Sequence, residues 1–259
     1  MGNVINERLI AKILSAGAAL TTIFLINGGV TDPVNAPKLV IIGVTGLTAL
    51  GVLVSSGTLK LLGQHKLTLL LILLFVSSMV LALISSDSPI SQNLYGSYGR
   101  NNGFITYLFL SSIFVSALVL RNSKNFESVV KALLFAGIVN ISYCLWVIMF
   151  GDFIGWTNPY GNILGTLGNP NFIGSFLGIF FTAYLAFALS KSASKIMKYS
   201  LLVVLPITAF EIYDSNAIQG RVVGALGVGI LGFLLIRSRF GKWATFGYLL
   251  VGSMAGLFA

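Results

Sequence analysis

Nine apolar runs, separated by short polar segments, take up most of this 259-residue chain. They cover residues 10–30, 38–56, 67–85, 103–120, 129–150, 171–190, 199–213, 217–236 and 244–259. A helix that crosses a bilayer needs about 20 mostly apolar residues, and most of the runs approach or reach that length. Only 9% of the residues are charged, whereas soluble domains have about a quarter. This composition excludes an ordinary soluble globule and a disordered, charge-rich chain.

The runs predict an all-α fold, a polytopic transmembrane helix bundle with eight complete spans and a ninth that is cut or ends at the C-terminus. We expect residues 1–259 to form a single integral membrane domain. The last run ends at Ala259 with no polar residues after the apolar stretch. We therefore expect the chain to be a fragment cut inside a span, with a short natural C-terminus as the alternative.

The positions of the basic residues predict that the N-terminus is cytoplasmic. Lysine and arginine are enriched in cytoplasmic loops of membrane proteins. With the N-terminus inside, 13 of the 16 basic residues fall in inner segments, and every loop follows this rule. The three exceptions, on the outer side, are Lys38, Arg100 and Arg221. Topology thus explains the net charge of +9 without a nucleic-acid partner.

Glycines recur inside the apolar runs, and we expect them to let helices approach each other closely. They are Gly43, Gly46, Gly51, Gly224, Gly227, Gly229 and Gly232. Residues 227–232 also spell the dinucleotide-binding pattern, but no strand precedes them, so we interpret them as a helix-packing surface. Residues 140–142 spell a glycosylation sequon inside a run, where we expect it to have no function.

Three polar segments lie on the predicted outer side: outer segment 1 (residues 85–102), outer segment 2 (151–171) and outer segment 3 (211–221). Outer segment 2 ends in Asn169-Pro170-Asn171. A residue before proline is biased towards an extended conformation, and proline suits the first turn of a helix. These three residues therefore predict the start of the sixth apolar helix.

Arg100 and Arg221 stand out because they oppose the topological bias. The guanidinium group is a fixed fork of donors that matches two phosphate oxygens. Two such groups near the outer surface are suited to hold a lipid-linked diphosphate. The simpler interpretation is interfacial anchoring or an ion pair, for instance with Asp87 or Asp214, and residue type alone favours this for each arginine.

The chain offers few acid–base groups. Its single histidine, His65, lies in a predicted inner loop, and its single cysteine, Cys144, is expected to be a small buried hydrophobic residue. One histidine and one distant cysteine predict no metal site. Glu211 and Asp214 are outer carboxylates able to transfer a proton, but we expect both to be simply solvated.

Three stretches carry a family resemblance: GTLGNPNFIG at 165–174, YGSYGRNNG at 95–103 and, more weakly, DSNAIQGR at 214–221. In order and spacing they resemble the O-antigen ligase and polymerase superfamily of bacterial membrane proteins. The first is similar to the family's Gly-Asn-Pro-Asn segment at a helix start. The matching positions are Gly96, Gly103, Gly168, Asn169, Pro170, Asn171, Gln219 and Gly220.

The resemblance implies metal-independent glycosyl transfer without a cofactor, at the periplasmic face of the bacterial inner membrane. A glycan leaves an undecaprenyl-diphosphate carrier and joins an acceptor glycan or glycolipid during assembly of cell-surface polysaccharide such as lipopolysaccharide. Arg100 and Arg221 would then bind the diphosphate, where fixed cations stabilise the charge that develops as it leaves. Arg221 matches less closely, because Gln-Gly-Arg stands where many members have Ser-Arg-Gly.

The chain departs from the family in two respects, since the family's outward histidine and large periplasmic loop have no counterpart here. We expect both to follow Ala259 in the intact protein and the present chain to be inactive alone. Two alternatives remain, a transporter or flippase of another class and a non-catalytic scaffold. A transporter is expected to hold ionisable groups in its spans, which contain almost none beyond Lys12.

Overall fold

The computed structural model describes residues 2–26, 32–97, 99–154, 158–190 and 194–257, and these ranges are helical and contain no strand. Bilayer-spanning segments must satisfy their backbone polar groups internally, which favours helices. The helices are α1 (Gly2–Ile23), α2 (Asn35–Ser55), α3 (Lys66–Ser85), α4 (Ile90–Tyr95), α5 (Phe104–Ala117), α6 (Ser123–Phe150), α7 (Pro170–Leu189), α8 (Lys195–Asp214) and α9 (Ile218–Leu257), with 3-10 helices at Thr58–His65 and Gly165–Leu167.

Five helical segments are long and apolar enough to cross a membrane, which gives the chain the character of an integral membrane protein. They are Asn35–Ser55, Thr58–Ser85, Ser123–Phe150, Pro170–Leu189 and Ile218–Leu249. The helix α5 is apolar but has only 14 residues. The eight spans with a ninth, and the cytoplasmic N-terminus, stay predictions.

The chain forms two compact units, unit 1 (residues 1–139) and unit 2 (residues 140–259). In unit 1, α2 packs against α1 and α5. A Cβ atom on Gly43 would lie 2.7 Å from the Phe109 ring, and one on Gly46 would lie 2.7 Å from the Phe109 carbonyl oxygen. Both glycines therefore allow the close helix contact that was predicted. For Gly51 the prediction is wrong, because its Cβ position has no atom within 4 Å.

Within unit 1, segments that are predicted to lie on the same side of the membrane contact one another. At one end, the Arg121 backbone amide donates to Glu7 Oε1 (3.0 Å), and Arg121 Nη2 donates to the Leu61 carbonyl (3.3 Å). At another point, Asn35 Nδ2 donates to the Gly99 carbonyl (2.7 Å). Predicted inner segments thus contact one another, and so do predicted outer ones. This sorting agrees with the alternation that the basic residues predict.

In unit 2, glycines form the contact between α7 and α9. A Cβ atom on Gly178 would lie 2.7 Å from the Gly220 carbonyl oxygen and 2.9 Å from the Gly224 nitrogen. One on Gly220 would lie 2.7 Å from the Gly174 carbonyl. Each helix therefore presents a Gly-x-x-x-Gly pair, which lets two backbones touch in lipid.

The helix α9 folds back on itself at Gly241, where φ is +79°. The second arm places the Tyr248 hydroxyl against the first, and this hydroxyl donates to the Gly229 carbonyl (3.0 Å). A Cβ atom on Gly232 would lie 2.7 Å from the same hydroxyl. The stretch that spells the dinucleotide-binding pattern is therefore helical and packs against other helices, as predicted.

Replacing Gly178 by alanine is expected to destabilise unit 2 by about 1–3 kcal/mol, because the added methyl group meets backbone atoms that cannot swing aside. The measurement is the midpoint of thermal unfolding in detergent. The control is Gly247→Ala on α9, whose Cβ position is open, and it should leave the midpoint unchanged or slightly raised. Equal midpoints for the two variants would contradict the glycine contact.

Candidate functional site

Outer segment 1 is a loop that glycines allow to close tightly on itself. The Gly96 amide donates to the Gln92 carbonyl (2.7 Å), and the Ser97 amide donates to Asn102 Oδ1 (3.2 Å). At Gly96 φ is +88°, and a Cβ atom on Gly103 would overlap the Gly96 nitrogen. Positions 96 and 103 of the family match thus have a structural reason to be glycine.

Arg100 lies in this loop with its side chain exposed to solvent. Its backbone amide donates to the Ser97 carbonyl (3.0 Å), which fixes the turn. Its guanidinium group makes no hydrogen bond or ion pair with another described residue, so the expected alternative, an ion pair with Asp87, is not formed. The neighbouring Tyr98 lies outside the described residues. The guanidinium N–H groups of Arg100 are therefore available to bind a ligand at the surface of this loop.

A pocket of about 340 Å³ lies between the C-terminal part of α3, α4 and the start of α5, and outer segment 1 forms part of its wall. None of its lining residues is charged. Amide and hydroxyl side chains both donate and accept hydrogen bonds, so such a pocket suits a ligand with hydroxyl groups. Its polar lining residues are Ser86, Gln92, Asn93, Ser97 and Asn102.

An apolar groove of about 640 Å³ follows the same two helices away from this pocket. The helix α3 contains no buried residue, which leaves its flank towards α5 accessible. Residues 68–75 of α3 and 107–117 of α5 line the groove with mostly apolar side chains. We call the pocket and the groove together the α3–α5 cleft. It offers polar groups near its loop end and an apolar surface along its length.

Outer segment 2 ends at α7 in the way that the sequence predicts. The helix begins at Pro170, and Asn169 caps it, because the Asn171 amide donates to Asn169 Oδ1 (2.9 Å). Gly168 precedes the cap with φ of +70°, a conformation that favours glycine. The predicted helix start is therefore confirmed, and these four residues have a structural role. Residues 155–157 of this segment lie outside the described residues.

Two side chains of α6 hold outer segment 2, and neither was selected from the sequence as a candidate. Asn140 Oδ1 accepts from both the Thr166 amide (3.1 Å) and the Thr166 hydroxyl (2.7 Å). The Tyr143 hydroxyl donates to Asp152 Oδ1 (2.8 Å). Asn140 was dismissed because its sequon lies inside an apolar run. An asparagine within such a run is itself a signal, since a buried amide needs a partner.

Outer segment 3 joins α8 to α9 and carries Arg221, which is exposed. Arg221 Nη2 donates to Asn216 Oδ1 (3.1 Å), and the guanidinium carbon lies 5.5 Å from the centre of the Tyr213 ring. No ion pair joins Arg221 to Asp214 among the described residues. Gln219 is also exposed, and nothing in the described structure explains its place in the family match. Arg221 thus keeps some of its guanidinium N–H donors exposed to solvent.

The structure brings the first turns of α7 against outer segment 3. A Cβ atom on Gly174, just after the start of α7, would lie 2.9 Å from both Ser215 Oγ and the Ala217 side chain. Two of the three stretches that carry the family resemblance are therefore in contact within unit 2. Arg100 belongs to unit 1 and Arg221 to unit 2, and each is described within its own unit.

The prediction that Glu211 is solvated is wrong, because it is fully buried on α8. Lys38, expected in an outer segment, lies in the first turn of α2 and is also buried. Two ionisable side chains beyond Lys12 are therefore buried among the described helices, one on α2 and one on α8. Cys144 is fully buried, as predicted.

Comparisons of the chain with protein-family models, with curated proteins and with solved structures gave no match. The resemblance to the O-antigen ligase and polymerase superfamily therefore stays a prediction. The features of the described residues that bear on function are the α3–α5 cleft, the two exposed arginines and the buried Glu211.

Replacing Asn140 by alanine is expected to cost about 1–3 kcal/mol, because it removes the acceptor of two buried Thr166 donors. Thermal unfolding in detergent measures the loss. Ser142→Ala is the matched control, since it destroys the same sequon but changes an exposed side chain. If both variants unfolded at the wild-type temperature, the Asn140–Thr166 bonds would not support outer segment 2.

Proposed function

We propose that the chain belongs to a membrane glycosyltransferase. In this proposal it transfers a glycan from an undecaprenyl-diphosphate carrier to an acceptor glycan or glycolipid at the periplasmic face of the bacterial inner membrane. The observation that carries the proposal is the α3–α5 cleft with the free guanidinium group of Arg100 on its loop. No cofactor takes part in this reaction.

The cleft matches the three chemical parts of such a donor. A polyprenyl chain is apolar and fits the groove of about 640 Å³, which mostly apolar side chains line. A sugar presents hydroxyl groups, which fit the uncharged amide and hydroxyl groups of the smaller pocket. A diphosphate lies between tail and sugar, and Arg100 offers a bidentate partner for its oxygens.

The proposed catalytic contribution of the arginine is electrostatic. When the glycan leaves, negative charge develops on the departing diphosphate, and a fixed cation stabilises that charge more than it stabilises the bound donor. Arg100 is exposed and has no carboxylate partner among the described residues, so its charge is available. Arg221 is proposed as a second cation of this kind, held in place by Asn216 and Tyr213.

Replacing Arg100 by alanine in the natural full-length protein is expected to abolish glycan transfer in cells, with accumulation of the lipid-linked donor. Binding of undecaprenyl diphosphate to the purified protein should weaken about 10- to 100-fold, the value of a hydrogen-bonded charge pair. Arg100→Lys should recover part of the affinity, because it restores the charge without the fork. Native mass spectrometry of titrated protein measures the binding.

Arg237→Ala is the control, since Arg237 is equally exposed but lies in a predicted inner segment of α9. It should bind the donor like the wild type. A second test of the cleft is Ser111→Phe, which fills the apolar groove and should weaken binding of the long-chain diphosphate more than binding of inorganic diphosphate. Full transfer activity and full affinity in Arg100→Ala would overturn the donor site and favour a scaffold.

One observation favours a second candidate function, a transporter or flippase. Ionisable groups inside the apolar helices are typical of ion-coupled transporters, and Glu211 is buried on α8. Reconstituted vesicles with a labelled undecaprenyl-diphosphate lipid distinguish the two functions. Lipid movement that depends on a proton gradient, in the absence of transfer to an acceptor, would support the transporter.

A further inference from the structure

Glu211 is a carboxyl group without a partner in the interior of unit 2. Its side chain is 0% exposed, and neither carboxylate oxygen has a hydrogen-bond partner among the described residues. The Leu145 backbone amide of α6 approaches the carboxylate but does not form a hydrogen bond of normal geometry. Buried carboxylates are usually paired or hydrogen-bonded, because an isolated charge in an apolar interior is costly.

The polar neighbours of Glu211 on its own helix do not satisfy it. The Thr208 hydroxyl donates to the Val204 carbonyl (2.8 Å), and the Ser215 hydroxyl donates to the Ile212 carbonyl (2.8 Å). Both hydroxyl protons are therefore used within α8. Asp214, one turn further along, is acidic and adds a like charge rather than a counter-ion.

The described residues of the neighbouring helices provide no counter-ion either. The helices α7 and α9 pack against α8, and α6 approaches Glu211 at the Leu145 amide. α6 contributes the buried thiol of Cys144 near Glu211. α7 contains no Asp, Glu, Lys, Arg or His, and Tyr184 is its only titratable residue. In the first turns of α9 the basic residue is Arg221, whose side chain bonds Asn216 instead. No described basic side chain is therefore positioned to neutralise an ionised Glu211.

The acidic groups around this position differ in exposure. Glu211 is fully buried, Asp214 is half-buried at the end of α8, and Asp152 is exposed just after α6. Exposure thus increases along α8 from Glu211 to Asp214, towards the predicted outer end of unit 2.

We propose that Glu211 is a proton-binding site reached from the predicted outer end of unit 2, and that release of its proton loosens the packing around its side chain. The proton leaves for solvent by way of Asp214, which lies one turn further along α8. The remaining carboxylate then needs water or a cation, so the helices separate enough to admit one of them. This proposal does not depend on whether the protein is a glycosyltransferase or a transporter.

The single cysteine of the chain reports on this separation. Cys144 is 0% exposed, so it reacts with a small maleimide only when the packing around it opens. The labelling rate is measured in the purified full chain from mildly acidic to alkaline pH, in the wild type and in Glu211→Gln. Glutamine has the shape of the protonated acid and does not ionise, so this variant is expected to fold.

The labelling rate of both proteins rises with pH as the thiol ionises, but the wild type should rise about tenfold more per pH unit, because the ionised fraction of a mainly protonated acid grows by that factor. Glu127→Gln is the control. It removes an exposed carboxylate from the same helix as Cys144, one that pairs with Lys131, and it should behave like the wild type. Equal pH responses in wild type and Glu211→Gln would overturn the proposal.

Infrared difference spectroscopy gives a second measurement that does not depend on helix movement. The wild type at neutral pH should show the carbonyl stretch of a protonated carboxyl group, and Glu211→Gln should lack it. An unchanged band in the variant, or no such band in the wild type, would mean that Glu211 holds no proton and would also overturn the proposal.

Discussion

The contact between α7 and α9 determines what unit 2 presents at its predicted outer end. Gly178 and Gly220 let two backbones approach to distances that no other residue permits. Because the helices cross there, the start of α7 lies against outer segment 3, and Gly174 meets Ser215 and Ala217. In a bilayer, apolar side chains alone do not drive helices together, so small residues that allow close packing carry much of the association.

Unit 1 is built differently, and the difference bears on function. The helices α2 and α5 are in close contact through Gly43 and Gly46, whereas α3 contains no buried residue and leaves a groove along α5. The helix α5 thus packs closely against α2 on one side and lines the α3–α5 cleft on the other. Outer segment 1 lies at one end of this cleft and carries Arg100, whose charge has no ion-pair partner among the described residues. The proposed donor site depends on this combination of a closely packed helix pair and an arginine without an ion-pair partner among the described residues.

Local patterns in the sequence predicted several features correctly, for physical reasons. Proline fixes its own φ and asparagine caps a helix, so the start of α7 at Pro170 is readable without tertiary structure. The burial of a single side chain cannot be predicted from local sequence patterns. Glu211 looks solvated beside Asp214, and Gly51 looks like Gly43, because only the packing of neighbouring helices decides which side of a helix is covered. Asn140 was missed for the same reason, since its partner Thr166 lies in a distant loop.

We propose that the three polar segments, with Arg100 and Arg221, share the outer side of the membrane. Single cysteines introduced in a Cys144→Ser background test it most directly, with a membrane-impermeant maleimide applied to intact cells. The informative variants are Ser97→Cys in outer segment 1, Asn158→Cys in outer segment 2 and Ser238→Cys at the predicted inner turn of α9. We expect the first two to be labelled in intact cells and the third only after permeabilisation. Labelling of Ser238→Cys from outside, or protection of either of the others, would contradict it.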